Sequence, residues 1–325
     1  MSNPSISVIV PVYSVAPYIE KCARSLFEQT LEPLEIIFVD DCTPDNSIEI
    51  IKGVLEEYPH RKALTQIIKQ PSNSGVAGVR RRGILACRGE YIIHCDGDDW
   101  IDVELYEKMY LEAVENFSDI VVCDEIQEYQ TSSIPQNIDN LPKSGKDIIK
   151  NFYKYPLGMF CHNKLVRREL YFDNNILPWE GLNMWEDMGL FFRLFYYADR
   201  VSQIHGPVYH YNRANVSAMT KGYGIKQVNQ MIEIAERVDD FYSSKVDYCD
   251  FEKSLNVLKY LAKLNLITDS FKNYKRFKSL FPESNKVASK ISLASFSKKG
   301  RLRYQFVKYR LAPVFILLFK IKNLL

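Results

Sequence analysis

Short apolar runs alternate with helix-length amphipathic stretches over the first 125 residues of the chain. The runs Ile6 to Val12, Glu35 to Val39, Leu64 to Ile68, Tyr91 to Cys95 and Asp119 to Cys123 are rich in Ile and Val, as strands buried on both faces should be. Between them, Pro17 to Gln29, Asn46 to Tyr58, Val76 to Cys87 and Val103 to Asn116 carry helical patterning, the first with its proline at a tolerated first-turn position. Strand and helix thus alternate four times. Parallel neighbours require crossover connections, so this order predicts an α/β fold: a mostly parallel, Rossmann-like sheet with helices on both faces. After about Lys221 the pattern becomes helical only. Val228, Met231, Ile232, Ala235 and Val238, then Leu255, Leu258, Leu261 and Leu264, recur at helical spacing and predict a packed helical appendage.

Open sheets of this kind bind ligands beyond the carboxyl ends of their strands. The residues at those ends are Pro11, Val12 and Tyr13 after the first strand and Asp40, Asp41 and Cys42 after the second. Pro71, Asn73 and Gly75 follow the third, and Asp96, Gly97, Asp98 and Asp99 the fourth. The opposite rim carries little comparable chemistry. For Asp96 to Asp99 the bland alternative is capping of the next helix by Asp99 or Asp102, but capping explains one or two carboxylates, not a cluster. Gathering them costs electrostatic repulsion that a divalent cation relieves, and oxygen ligands favour Mg²⁺ or Mn²⁺. A calcium loop of the helix-loop-helix type fits poorly, because Trp100 and Ile101 stand where an oxygen ligand and a glycine belong. In Asp40 to Asp45, Thr43 and Asp45 read as turn and cap. Asp41 is placed beside Tyr13, where it could accept an N–H from a base stacked on the ring.

The segment Asn73 to Gly83 enters a helix with three arginines, and Ile84 and Leu85 occupy the positions where a phosphate-binding loop needs Lys and Ser or Thr. One or two of the arginines belong on a solvated face. Arg80 is the one placed to reach a diphosphate from the first turn. Farther along, Glu186 and Asp187 precede the apolar run Leu190 to Ala198, flanked by Trp179, Met184 and Trp185. Acidic residues in a first helical turn are common for macrodipole reasons, yet this pair is the candidate base in the second half of the chain. His94, His162, His205 and His210 stand singly and read as structural.

Composition adds a charge asymmetry. Of 42 Lys and Arg, ten lie between Ser284 and Leu325, where there is no Asp or Glu, leaving 32 against 40 acidic residues before it, a net of −8. An acidic body with a basic, aliphatic tail is expected to rest on an anionic membrane face. The apolar run Leu311 to Phe319 is far short of the ~20 residues that span a bilayer. An interfacial anchor is therefore predicted, and nucleic-acid binding is disfavoured because it leaves Val314 to Leu325 nothing to bury into. Seven cysteines without a Cys-x-x-Cys pair indicate neither a disulfide framework nor a thiolate zinc site. With no leader pattern at the start, the expected location is cytoplasmic, peripheral on the inner face of the cell membrane.

Val8-Ile-Val-Pro-Val-Tyr13, Phe38-Val-Asp-Asp-Cys42, Asn73-Ser-Gly75 with Arg80, Gly89 to Asp99 and Trp185-Glu-Asp187 occur in the order seen in family 2 glycosyltransferases. The resemblance is to the bacterial surface-polysaccharide branch and covers roughly the first 220 residues. It implies a glycosyltransferase A fold, a UDP-sugar donor, a Mn²⁺ or Mg²⁺ cofactor, inversion at the anomeric carbon and a saccharide acceptor, lipid-linked in this branch. By the same resemblance Asp41 recognises uracil, with Asp40 beside it, and Pro11, Val12 and Tyr13 line the base pocket. Asn73, Gly75 and Arg80 lie toward the base or diphosphate, Asp96 and Gly97 toward the ribose or a metal-bound water, and Asp98 with Asp96 ligates the metal. Asp187 is the general base with Glu186 its neighbour. Many relatives read Ala-Arg-Asn where this chain has Val79-Arg80-Arg81. Tyr209-His-Tyr211-Asn-Arg213 and Ser217 resemble a loop that closes near the site.

These readings divide the chain into a nucleotide-sugar half (1–125), an acceptor half with the base (126–220), a helical appendage (221–283) and a membrane-surface tail (284–325). Two alternatives stay open: a sugar nucleotidyltransferase, although Pro11 to Ser14 lacks the Gly-rich basic loop, and a non-catalytic nucleotide or saccharide binder that needs no Asp187.

Overall fold

The computed structural model describes residues 4–152, 158–215, 224–267, 270–290, 298–309 and 311–322. In chain order, the first elements are β1 (Ile6–Val12), α1 (Ile19–Phe27), β2 (Leu34–Asp40), α2 (Ser47–Glu57), β3 (Thr65–Lys69), α3 (Gly75–Ala86), β4 (Tyr91–His94), β5 (Trp100–Ile101) and α4 (Leu105–Glu115). Then come β6 (Ile120–Glu128), β7 (Ser133–Gln136), α5 (Gly145–Lys150), β8 (Lys164–Arg167), α6 (Arg168–Asp173), α7 (Glu186–Tyr197) and β9 (Val201–Asn212). The helices α8 (Ile225–Ser243), α9 (Tyr248–Leu264), α10 (Phe271–Ser279), α11 (Lys298–Lys308) and α12 (Ala312–Lys322) follow. The chain forms two compact units, one of residues 1–146 and 159–221 and the other of residues 147–158 and 222–325.

In the first unit the strand order is β3-β2-β1-β4-β8-β6-β9-β5, with β7 against β6. The β3-β2-β1-β4 half is parallel throughout. Its residues explain why: Ile6, Val8, Ile9, Val10, Ile36, Ile37, Phe38, Ile92 and Ile93 are all fully buried, as strands covered by helices on both sides must be. The register pairs Val12 with Asp40 and Asp40 with Lys69, so the turns after these strands emerge on one rim. The other rim is not empty of chemistry. Glu35, fully buried at the start of β2, accepts from Ser7 Oγ at 2.5 Å and from the Arg88 backbone N–H and Nε at 2.9 and 2.7 Å. Those donors tie β1 to the chain ahead of β4 and use the carboxylate structurally.

Beyond β4 the sheet becomes mixed. The four-residue strand β8 lies between β4 and β6 and is antiparallel to both, while β9 runs parallel to β6 across a register shift at Cys123 and Glu125. Neither β8 nor β9 announces itself in the sequence as an apolar run; β8 is Lys-Leu-Val-Arg and β9 is only half buried. The stretch from Tyr209, read from sequence as part of a closing loop, is the end of β9 as far as Asn212. The second unit is helical. Helix α8 buries Val228, Met231, Ile232, Ala235 and Val238, and α9 buries Leu255, Leu258 and Leu264. Lys263 of α9 is also buried there, its Nζ held by the carbonyls of Leu280 and Phe281 and by Asn285 Oδ1. Burial lowers this ammonium to about 8.

Candidate active site

The turn after β1 begins with Tyr13, which is 49% exposed, and Ser14 in the left-handed region at φ 53°. Two bonds hold this turn: Ser14 N donates to Thr43 Oγ1 at 2.8 Å and Ala16 N to Asp45 Oδ2 at 2.9 Å. Asp45 also accepts from Thr43 Oγ1 and from the Ser47 hydroxyl and N–H at the start of α2. Burial works against its charge, but these donors win and bring its carboxyl down to about 2. The turn-and-cap reading of Thr43 and Asp45 therefore holds, and Asp40 accepts from Thr43 N at 2.8 Å in the same turn.

Asp41 is 3% exposed and turns its carboxylate to the start of α3. Oδ1 accepts from Ser74 N at 2.7 Å and Ser74 Oγ at 3.0 Å, and Oδ2 from Gly75 N at 2.9 Å. Asn73 Nδ2 donates to the Asp41 carbonyl at 3.2 Å. A second side chain reaches the same helix end, with Asn183 Oδ1 accepting from Ala77 N at 3.0 Å. Gly75 has φ +74°, and a Cβ there would land on the Asn183 amide, so this approach requires glycine.

Arg80, one turn further along α3, is 5% exposed. Its Nη1 donates to Glu186 Oε1 at 2.7 Å and its Nη2 to Asp96 Oδ1 at 2.8 Å, and Nε is buried without a partner. One guanidinium thus joins the turn after β4 to the first residue of α7. Of the other two arginines, Arg81 pairs with Glu180 at 2.8 Å and Arg82 is exposed, in line with a solvated face.

The turn Asp96-Gly97-Asp98-Asp99 closes on itself through Asp99 N to the Asp96 carbonyl at 3.0 Å, and the end of β9 locks it. Tyr209 Oη donates to Asp99 Oδ2 at 2.6 Å and accepts from Asp96 N at 3.0 Å. Asn212 N donates to Asp99 Oδ1 at 2.7 Å, and Asn215 Nδ2 donates to Asp98 Oδ2 at 2.7 Å. Helix α4 has no side-chain cap, so the capping alternative fails. Asp99 is committed to β9, as is Asp102, which accepts from Val208 N at 2.9 Å and pairs with His210 at 3.1 Å. Burial and the neighbouring carboxylates raise Asp98 and Asp99 above the usual carboxylate range. Asp96 is half-buried, and although loss of solvent works against its charge, Arg80 and His162 bring it below that range.

His162, read from sequence as structural, is 3% exposed and has Nε2 2.8 Å from Glu125 Oε2. Its ring stacks on Tyr209 at 4.3 Å and on Phe160 at 5.2 Å. Asp96, Asp99 and His162 present ligand atoms within 4.8 Å of one another. Asp98 is not in that group; it stands next to it, half-buried. Carboxylate oxygens with one imidazole nitrogen fit a divalent ion of the Mn²⁺ type.

Glu186 and Asp187 open α7 behind Trp185, itself left-handed at φ 65°. Asp187 Oδ1 accepts from Met188 N at 2.7 Å. Burial raises Glu186 to about 8, with Asp187 adding to the rise and Arg80 opposing it. Asp187 is raised by burial as well, against the pull of Arg80 and Lys164.

The structure therefore brings Asp96, Arg80, Glu186, Asp99, Tyr209 and His162 into one connected set, and places Asp41, Asn73 and Gly75 in a second set at the α3 terminus. Tyr209 was legible only as part of a motif, Asn183 and His162 not at all, because nothing in their local sequence separates them from ordinary polar residues. Ser217 lies outside the described residues.

The family model for Glycosyl transferase family 2 matches residues 7–172. EpsH of Bacillus subtilis strain 168, a glycosyltransferase by name, is 29% identical over 332 residues, 96% of this chain and 94% of that protein. Residues 1–349 of TarS from S. aureus, solved with UDP-GlcNAc, match with a TM-score of 0.72 at 18% identity, over 98% of this chain and 91% of that one. The mannosyltransferase PcManGT of Pyrobaculum calidifontis, solved with GDP-Man and Mn²⁺, matches with a TM-score of 0.52 at 14% identity, over 100% and 88% of the two chains. At these identities the two solved structures establish a shared fold.

Proposed function

The chain belongs to glycosyl transferase family 2 and has its glycosyltransferase A fold, and from that premise we propose that it moves a sugar from a UDP-sugar to a hydroxyl of a lipid-linked saccharide, with inversion, in surface polysaccharide synthesis. The observation that carries this reading is Glu186, tied to the β4 turn through Arg80, with Asp187 next to it, two partly buried carboxyls raised above their ordinary range. A carboxyl raised in this way is a stronger proton acceptor once ionised, which is what a general base requires. Asp187 takes the proton of the acceptor hydroxyl as its oxygen attacks the anomeric carbon; Glu186, paired with Arg80, holds the start of α7 in place.

The donor lies along the rim. Tyr13 offers an exposed ring for the base, with Pro11 and Val12 just before it at the end of β1. Asp41, with Asp40, Asn73 and Gly75, shapes the wall; both its oxygens accept from the start of α3, and Oδ2 keeps a second lone pair for a base N–H. Asp96, Gly97 and Asp98 face the ribose and diphosphate, and Asp98 with Asp96 is the proposed ligand pair for Mn²⁺ or Mg²⁺. Such an ion supplies positive charge for the leaving diphosphate. TarS solved with UDP-GlcNAc and PcManGT solved with GDP-Man and Mn²⁺ support this donor and metal class. A single displacement with base and leaving group on opposite faces gives inversion.

The test is Mn²⁺-dependent UDP release across a panel of UDP-sugars, comparing the native protein with Asp187→Asn. Release is expected to fall by roughly 10²- to 10⁴-fold with UDP binding retained. Unchanged transfer by the variant removes Asp187 as the base.

A further inference from the structure

The apolar run Leu311 to Phe319, a single block in the sequence, is divided by the fold into two faces. Helix α12 turns Ala312, Phe315 and Ile316 inward, each 3% exposed or less, with the Phe315 ring 5.5 Å from that of Phe306 on α11. The other face carries Leu311, just ahead of the helix, with Val314, Leu317 and Leu318, all between 46% and 54% exposed. Spacings of three, four and seven residues put these four aliphatic side chains on one stripe. Nothing among the described residues covers it.

A stripe of this kind is a docking surface only if something of fitting chemistry occupies it. Charge identifies the occupant. Arg301 and Lys308 on α11 are exposed, as are Lys272, Lys275 and Lys278 on α10, a helix that packs against α12. The chain from Ser284 onward has ten cationic side chains and no anionic one. Length identifies the mode. With eleven residues α12 is about 16 Å long, far below the ~30 Å of a bilayer core, and no helix among the described residues is long and apolar enough to cross a membrane.

We infer that the stripe Leu311, Val314, Leu317 and Leu318 lies in the surface of an anionic bilayer, parallel to it, with the surrounding lysines and arginines on the lipid headgroups. A short helix with an apolar outer face, flanked by basic side chains of its neighbours, binds in this way when apolar burial and electrostatic attraction act together. Neither contribution alone gives firm attachment, so the binding is reversible and sensitive to salt. The surface deepens the proposed acceptor class and rests on that reading: a saccharide carried on lipid is reached by an enzyme held at the same interface.

The experiment is sedimentation of the full chain, without donor or acceptor, on vesicles of phosphatidylcholine with and without one third phosphatidylglycerol. The intact protein is expected to sediment with the anionic vesicles and not with neutral ones. The double variant Leu317→Glu, Leu318→Glu is expected to lose about tenfold or more of that binding, while UDP release in solution is unchanged. The paired variant Arg301→Ser, Lys308→Ser gives a second reading should the first not fold, with a loss of similar size. Equal binding by the double variant, or no preference for the anionic vesicles, overturns the inference. So does a concentration-dependent dimer in light scattering that the double variant abolishes, because a second copy would then own the stripe. Loss of UDP release in an intact protein that still binds vesicles would instead count against the transferase chemistry and leave the surface standing.

Discussion

Two acidic turns, one after β2 and one after β4, look alike as sequence and differ in how the fold treats their charge. In the first, every carboxylate meets N–H and O–H donors: Asp40 that of Thr43, Asp41 those of Ser74 and Gly75, Asp45 those of Ala16, Thr43 and Ser47. The negative charge is neutralised by dipoles that belong to the rim itself, and the turn becomes a brace under Tyr13 and α3. In the second, Asp96 has Arg80 and Asp99 has Tyr209 Oη and Asn212 N, but Asp98 has the Asn215 amide on one oxygen, and with three carboxyls in one turn burial and mutual repulsion push Asp98 and Asp99 up. Charge that the fold leaves poorly compensated is charge available to a cation. The contrast separates a structural acidic cluster from the proposed metal-binding one more sharply than composition can.

The largest effect that would sharpen this contrast comes from Asp98→Asn. Removing the charge should lower metal-dependent transfer by about 10²-fold or more, on the scale of losing a preorganised charge contact. The same change relieves repulsion and should raise the stability of the metal-free protein by about 0.5–1 kcal/mol. A variant that melts below the native protein while keeping its turnover would place Asp98 with the braces and erase the distinction. Next in size is Arg80→Met. It leaves Asp96 and Glu186 without their shared cation, so kcat should fall by roughly 10- to 100-fold through lost positioning. Arg80 opposes the upward push on both Glu186 and Asp187, so the acid limb of the pH–rate profile should move to higher pH. A lowered kcat with an unmoved acid limb would make Arg80 a packing residue only.

How much of this was legible follows from the range of the interactions involved. The strands and helices of the parallel half are set by local apolar periodicity, and the sequence placed β1 at Ile6 to Val12, where it lies. The rim residues followed, because strand ends and parallel register are local properties. What the sequence hid is long-range. Arg80 meets Glu186 across 106 positions and Tyr209 meets Asp99 across 110, and no spacing rule encodes such pairings. Strand β8 was hidden for a related reason: a Lys-Leu-Val-Arg segment becomes a strand only because β4 and β6 flank it. Lys164, the first residue of that strand, is fully buried against every expectation for lysine. It is tolerated because Phe160 O and Asn163 Oδ1 accept from its Nζ, and burial lowers its charge-holding to about 8.

The smaller effects test the brace. Asp41→Ala orphans the N–H groups of Ser74 and Gly75 at the α3 terminus, and should cost about 1–3 kcal/mol of stability in thermal or denaturant unfolding. An unchanged midpoint would mean that solvent replaces the carboxylate and that Asp41 does not brace α3. The smallest effect is a pH dependence in Asp45. Its carboxyl sits at about 2 against an ordinary 3.8, so the stability it contributes is present above pH 3.8 and disappears as pH falls through 2. The Tm difference between the native protein and Asp45→Asn should therefore be constant near neutrality and close over that acidic window. A difference that persists below pH 2 would show that the brace works by shape and not by ionised charge, which would bring the two acidic turns closer together than their hydrogen bonds suggest.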